Sequence, residues 1–344
     1  MNFLDTSPDL ESIACIFCGP APSEVVIVEN DFAARQCSEC GLIFVSPRPS
    51  RERVADLYRL DEAYLSSESH LSEAGAPLGR LYVRQVVSQI RRHAERGRLL
   101  EVGAGNGDVL VEARRRGFEV CGVELNPTQA AFIRDRLGIS CFESLDEITR
   151  DSTMERFDVI YHRDVISHFF DPLEELSTLN SLLADGGTMV FETGNLGDVD
   201  RSYFKHYSVF QLPDHLFFFS DRNIDELLRR TGFMRIATRR YSILPELVFI
   251  AMSRRLRRFV VGHSRADARA TPELDRAASS AASSTSVGAR ASSTRALGRF
   301  LRTAWGFAMF GVRYGIGAVA PKRRRPQTVV IAASKSPAAA ARSA

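Results

Sequence analysis

Apolar and polar positions change their period several times along this chain. Near the start, Val25 to Val28 (VVIV) and Leu42 to Val45 (LIFV) read as two strands of a small ribbon, the second closed by SPRPS from Ser46. From Arg98 onward, short unbroken apolar runs alternate with helical patterns. RLLEV (98–102), FEVCGV (118–123) and FDVI (157–160) are too short and too uniformly apolar for amphipathic helices, and suit strands buried on both faces of a parallel sheet. Val109, Leu110 and Ala113 between the first two give a helical spacing, and Asn126-Pro127 opens another helix, since Pro is favoured in a first turn. Gly232 ends a helix bearing Leu227 and Leu228, and a further strand, FMRIATRRY, starts at Phe233. The next strand signal, Thr328 to Ala333 (TVVIAA), lies far downstream, so the residues between form an insertion at the sheet edge. The middle of that insertion is Ala/Ser-rich and reads as disordered. Apolar-basic helical patterns flank it at 246–261 and 295–318. Alternating strands and helices of this kind predict an α/β fold, doubly wound, with ligands beyond the C-terminal strand ends.

Composition narrows the class. With 44% hydrophobic and 25% charged residues, the chain is neither fibrous nor wholly disordered. No stretch is long and apolar enough to predict a transmembrane helix. The first residues, MNFLDTSPDLES, lack the basic and apolar regions of a secretory signal, which makes a cytoplasmic location the expectation. A net charge of +3 conceals an acidic body and a basic segment: residues 254–325 hold 16 Lys/Arg against 3 Asp/Glu. Arg295, Arg299, Arg302 and Arg313 fall within about 60° of one another at helical pitch. A peripheral contact of 295–318 with an anionic membrane is one reading. Packing on the acidic body or against a second copy is preferred, because Gly306, Gly311, Gly315 and Gly317 weaken an isolated helix. The run KRRRP (322–326) is too short to argue for nucleic acid, and the oligomeric state is not legible.

Four of the six cysteines form two C-x-x-C pairs, Cys15/Cys18 and Cys37/Cys40, each followed by a glycine. Such pairs suit a tetrahedral Zn²⁺, with the glycine allowing the tight turn. A disulfide framework is the competing reading, which a reducing cytosol opposes. Four thiolates would close the metal's shell, so the metal is structural. Cys121 and Cys141 lie in strands and read as small buried hydrophobes.

The centre of the chain carries the chemistry. The strand RLLEV runs into Gly103-Ala104-Gly105-Asn106-Gly107-Asp108, and Glu124 ends the next strand. Glycines let a backbone approach a ligand closely, and a strand-end carboxylate can accept two hydrogen bonds from a ribose diol. The spacing is G-x-G-x-G with Glu101 in front, which suits a positively charged ligand better than a diphosphate. LLEVGAGNGDVL (99–110) and GVELNP (122–127) resemble the first motif and the acidic strand end of class I S-adenosylmethionine-dependent methyltransferases. VISHFFDP (165–172) and LLADGGTMVFET (182–193) extend the likeness. The resemblance implies a seven-stranded methyltransferase (Rossmann-like) sheet with a small N-terminal zinc ribbon. It divides the chain into a ribbon (1–50), a helical cap (51–97), a cofactor-binding core (98–253), a basic insertion (254–326), a final strand (327–336) and a tail (337–344). It also implies that Glu101, Gly103 and Gly105 line the methionine end, with Ala104 and Gly107 among the cofactor-binding residues. Glu124 would then hold the ribose, with Leu125 beside it in the cofactor site, and Phe142 and Glu143 would flank the adenine.

A base is needed when the methyl acceptor is a poor nucleophile. His162 closes the fourth strand, where it can line the cofactor pocket, and His168 shapes the loop after it; a satisfied structural histidine is the plainer reading for both. His215 lies in PDHLFFFS (213–220), where the adjacent Asp214 is expected to raise its pKa. That segment resembles the acid-His-x-x-x-Phe-Ser stretch of zinc-carrying sugar C-methyltransferases. Those enzymes also have a cysteine knuckle and a tyrosine-bearing helical region like that of Tyr58 and Tyr64. The resemblance implies His215, Asp214 and Tyr64 as catalytic residues and a small-molecule acceptor such as a sugar nucleotide or another glycan or natural-product precursor. An RNA methyltransferase is an alternative, weakened because Arg35 is the one basic residue between Cys15 and Cys40. A non-catalytic scaffold is another, weakened by the intact glycine turn and Glu124.

Overall fold

Leu99 and Leu100 are adjacent in sequence and both fully buried, so the strand that holds them is covered on its two faces. In the computed structural model, the described residues are 10–60, 77–207, 209–245, 247–248 and 303–336. Five strands come first: β1 (Leu10–Glu11), β2 (Ser23–Glu29), β3 (Phe32–Cys37), β4 (Ile43–Val45) and β5 (Arg48–Pro49). Helices Arg51–Leu60 and Pro77–Ile90 lead into the parallel strands. These are β6 (Gly97–Val102), β7 (Phe118–Val123), β8 (Ser140–Phe142), β9 (Phe157–Arg163) and β10 (Leu183–Gly194), followed by β11 (Phe217–Phe218), β12 (Phe233–Ser242) and β13 (Gln327–Lys335).

The main sheet has the order β12-β13-β10-β9-β6-β7-β8. All pairings from β10 to β8 are parallel, whereas β13 runs antiparallel to both of its neighbours. This is the seven-stranded doubly wound methyltransferase fold expected from the sequence. The chain winds outward from β6 to β8, then crosses to β9 on the other side of β6. That reversal opens a crevice beyond the carboxyl end of β6, where doubly wound sheets bind ligands.

Local signals explain the flanking helices. Asn126 caps helix Pro127–Leu137 by accepting from the Thr128 and Gln129 amides at 3.0 and 3.2 Å, with Pro127 in the first turn. Ser220 and Asn223 form a capping box at the start of Asp221–Arg230. Gly232, at φ 77°, lets the chain leave that helix for β12.

The ribbon departs from a purely N-terminal unit. Its sheet has the order β11-β4-β3-β2, and its fourth strand comes from the PDHLFFFS segment: Phe217 pairs with Phe44 and Phe218 with Ile43. Without β11, the apolar strand β4 would present an open edge. An apolar cluster runs without interruption from Phe17, Leu42 and Phe44 through Leu216, Phe217 and Phe219 to Phe157 and Phe191. Each fully buried Phe contributes on the order of 1.5–3 kcal/mol relative to exposure. The ribbon and the main sheet therefore share one core.

Contacts divide the chain into one unit ending at Ser242 and resuming at Pro321, and a second unit, Ile243–Ala320. The described end of the second is helical from 303 to 311, followed by a π turn, Val312–Ile316, and Gly317–Val319. Tyr64, most of the helix read at 246–261, the Ala/Ser-rich stretch, the start of 295–318 and the tail 337–344 lie outside the described residues. Among the described residues, no helix is long and apolar enough to cross a membrane.

Candidate cofactor site and the histidine loop

The turn after β6 is built by its glycines. Gly103, Gly105 and Gly107 all take left-handed φ values, of 73°, 54° and 74°. The amides of Gly103 and Ala104 donate to the Val123 carbonyl at 2.8 and 3.1 Å, binding the turn to β7. A Cβ on Gly103 would come within 2.6 Å of Val165 Cγ2, whereas one on Gly105 would meet nothing within 4 Å. Gly103 thus packs under the 165–172 loop, and Gly105 faces open space.

Glu124 joins the glycine turn to the acidic strand end. Its Oε2 accepts from the Gly105 amide at 2.7 Å and its Oε1 from the Asn126 amide at 2.9 Å. Burial raises its pKa, against these backbone hydrogen bonds. Each carboxylate oxygen has more than one lone pair, so acceptor capacity remains for a ligand's hydroxyl. Leu125 beside it is 45% exposed, and Phe142 and Glu143 follow at the end of β8. The Glu124 amide donates to the Phe142 carbonyl at 2.9 Å, and Arg134 holds Glu143 at 3.1 Å.

Glu101 is buried, and its Oε2 has no hydrogen-bond partner. Burial, with Asp108 and Glu124 nearby, pushes its pKa up to about 8, opposed by Arg163. Such a carboxyl ionises readily once a cation arrives, which fits the ammonium and sulfonium of S-adenosylmethionine. Together with the open face of Gly105 and the spare acceptors of Glu124, it gives that cofactor a chemically matched set of residues. Arg163 was missed in the sequence. Burial works against its charge, yet Tyr161, Glu192, Asp164 and Glu101 hold its pKa above the ordinary value. Its position at the carboxyl end of β9, next to the more conspicuous His162, was the available signal.

His162 is fully enclosed, stacked on Phe191 at 4.9 Å with both ring nitrogens unpartnered, and burial depresses its pKa to about 3. In this structure it offers a ligand no surface.

The expected Asp214–His215 pair takes a different form. Asp214 faces His168 instead: the Nδ1 of His168 lies 3.0 Å from the Asp214 carbonyl and 3.2 Å from its Oδ1. His215 directs Nδ1 to the Phe210 carbonyl at 2.9 Å. The two imidazoles lie 4.5 Å apart, centroid to centroid. Burial lowers the pKa of His215 to about 4, helped by His168, and the Asp214 charge does not overcome it. The anticipated rise is therefore corrected to a fall. Ser167 accepts from the amides of Leu216 and Phe217, so the two histidine-bearing loops are stitched together; the first of them begins at Val165, against Gly103.

The four knuckle thiols lie within 4.8 Å of one another, with Cys15 and Cys40 Sγ at 3.5 Å, and none is in a disulfide. A tetrahedral zinc with Zn–S bonds of about 2.3 Å spaces its sulfurs about 3.8 Å apart, so the cluster has the size of a zinc site. Gly19 and Gly41 turn left-handed after each pair, with amides donating to Cys15 and Cys37 carbonyls at 2.8 and 3.0 Å. Cys121 and Cys141 are buried strand thiols with pKa values pushed up to about 12 by burial.

Residues 78–237 match a family model described as a methyltransferase domain. That span is somewhat less than half of the chain. A stretch of 102 residues is 31% identical to the ubiquinone biosynthesis O-methyltransferase of Cereibacter sphaeroides, and 106 residues are 32% identical to that of a Caulobacter species. Each match covers 28% of this chain and 41% of the relative, so the likeness spans about two fifths of those proteins' length. Among solved structures, phosphoethanolamine N-methyltransferase 2 of Haemonchus contortus, in complex with S-adenosyl-L-methionine, is similar at 15% identity and a TM-score of 0.46. That match covers 86% of this chain and 63% of the other. The matched span contains the glycine turn, Glu101, Glu124, Arg163 and the histidine loop, whereas the four knuckle cysteines precede it.

Proposed function

We propose that this chain is an S-adenosylmethionine-dependent methyltransferase acting on a small molecule, with a sugar nucleotide or a related glycan or natural-product precursor as acceptor. The observation that carries the reading is the bond from the Gly105 amide to Glu124, which makes the glycine turn and the acidic strand end one structure. When bound, S-adenosylmethionine supplies an electrophilic methyl group on a sulfonium. Glu124 would accept from the ribose hydroxyls, Glu101 would face the positive charge, and Gly105 would leave room for close approach. Phe142 and Glu143 would border the adenine, and Leu125 would lie beside Glu124 in the same site.

His215 is the candidate general base. A carbonyl can only accept, so the bond to Phe210 keeps the proton on Nδ1 and leaves Nε2 as the basic atom. Its depressed pKa keeps the ring neutral at pH 7, so Nε2 carries no proton and can accept one. His168 and Asp214 would brace this ring, and Tyr64 remains a candidate on sequence resemblance alone. The acceptor class rests on the likeness of PDHLFFFS and the cysteine ribbon to sugar C-methyltransferases. We assign Cys15, Cys18, Cys37 and Cys40 to a structural Zn²⁺ that closes the ribbon.

Turnover of candidate sugar nucleotides with S-adenosylmethionine, followed by release of S-adenosylhomocysteine, tests the reading. A product with the added methyl supports it. Cofactor binding without transfer to any such acceptor would discard the substrate class.

A further inference from the structure

The hairpin between β2 and β3 ends against the loop that carries His215. Asn30 and Asp31 take left-handed φ values of 52° and 64°, which reverses the chain tightly and leaves Glu29 as the last residue of β2. The Glu29 carboxylate accepts from two amides of that loop: Phe210 on Oε1 at 2.9 Å and Leu212 on Oε2 at 2.8 Å. Asn30 Nδ2 donates to the Leu212 carbonyl at 2.8 Å. Between the two gripped amides, Gln211 is itself left-handed at φ 63°, a conformation that is strained for a residue other than glycine.

The opposite side of the same segment holds the histidine. The Phe210 carbonyl receives His215 Nδ1 at 2.9 Å, and the Gln211 carbonyl receives the His215 amide at 2.9 Å. Hydrogen bonds to a carboxylate are stronger than neutral ones, so the grip on the amides restricts which way the carbonyls point.

We propose that Glu29 is a positioning residue which, through the 210–212 backbone, fixes the tautomer and orientation of His215. The proposal rests on the reading of His215 as the base and gives the ribbon a part in it. Loss of the carboxylate's second acceptor frees an amide, lets Gln211 relax, and turns the Phe210 carbonyl away from the ring. The imidazole then loses the partner that keeps its proton on Nδ1.

The test is long-range ¹H–¹⁵N correlation NMR of the full chain, with His215 assigned from the spectrum of His215→Gln. The wild type should show the Nδ1–H tautomer at neutral pH. Glu29→Gln should shift His215 toward the Nε2–H form while circular dichroism stays native. Glu24→Gln, on the same strand but paired with Arg201, should leave the tautomer as it was. An unchanged tautomer in Glu29→Gln, or an equal shift in Glu24→Gln, would overturn the proposal. Should Glu29→Gln fail to fold, Asn30→Ala must still give a smaller shift in the same direction, and no shift there is equally fatal. Full turnover by His215→Ala would remove the base reading without altering this tautomer result, so the two failures are distinguishable.

Discussion

Asp214 Oδ1 lies 3.2 Å from Nδ1 of His168, the histidine 46 residues before it, and not against the histidine that follows it in sequence. Asp214 ends a turn over 212–214, and its carboxylate is directed to the loop that carries His168. His215 donates from Nδ1 to a backbone carbonyl instead.

This arrangement sets the pH dependence. With burial holding His215 at about 4, a base in this position loses activity as pH falls through about 4 and is fully competent above it. Asp214 opposes the depression, so Asp214→Asn should move that limb to still lower pH. The profile of kcat/KM in the two proteins checks the sign. A wild-type limb near the ordinary histidine value would show that another group titrates.

Replacing the base itself separates chemistry from binding. His215→Ala should lower kcat by about 10² to 10⁴-fold, the usual contribution of a general base. Affinity for S-adenosylmethionine, measured by calorimetry, should be unaltered. A variant with native turnover rules out the role.

His162 predicts a stability effect. Its pKa is about 3 in the folded chain, against an ordinary 6.5, so between those values the unfolded chain binds more protons. The stability from burying it neutral is complete above about pH 6.5 and declines as pH falls, at about 1.4 kcal/mol per unit. His162→Phe removes two unpartnered nitrogens from a site stacked on Phe191. Urea unfolding at pH 7 and pH 5 should show the wild type losing about 2 kcal/mol more than the variant across that interval. Equal losses would mean that His162 is not buried in the neutral form.

The ribbon should depend on its metal. Elemental analysis should find one zinc per chain, and Cys37→Ser should lose it together with part of the thermal stability, because metal binding is coupled to folding at such sites. Because β4 pairs with β11, hydrogen exchange at Phe217 and Phe218 should quicken in that variant. Native stability with no metal bound would refute the zinc assignment.

Much of this was legible in the chain. The parallel strands announced themselves as apolar runs because both faces of β6 and β9 are covered, and the glycine turn and Glu124 were visible as spacing. The C-x-x-C-G pairs gave the knuckle. The fourth ribbon strand was not legible, because a two-residue pairing between Phe217–Phe218 and Ile43–Phe44 has no periodicity of its own. The orientations of Asp214 and His215 depend on which carbonyls lie near them, and the grip of Glu29 on the 210–212 backbone joins residues about 180 positions apart. Arg163 stood one position from His162, but alternation along β9 gives the two residues opposite faces.

Isothermal calorimetry with S-adenosylmethionine tests the central claim most directly. The wild type should bind one equivalent, and Glu124→Ala should lose at least about tenfold in affinity, about 1.4 kcal/mol. No binding by the wild type, or equal binding by both proteins, would contradict the assignment of the crevice at β6 and β7.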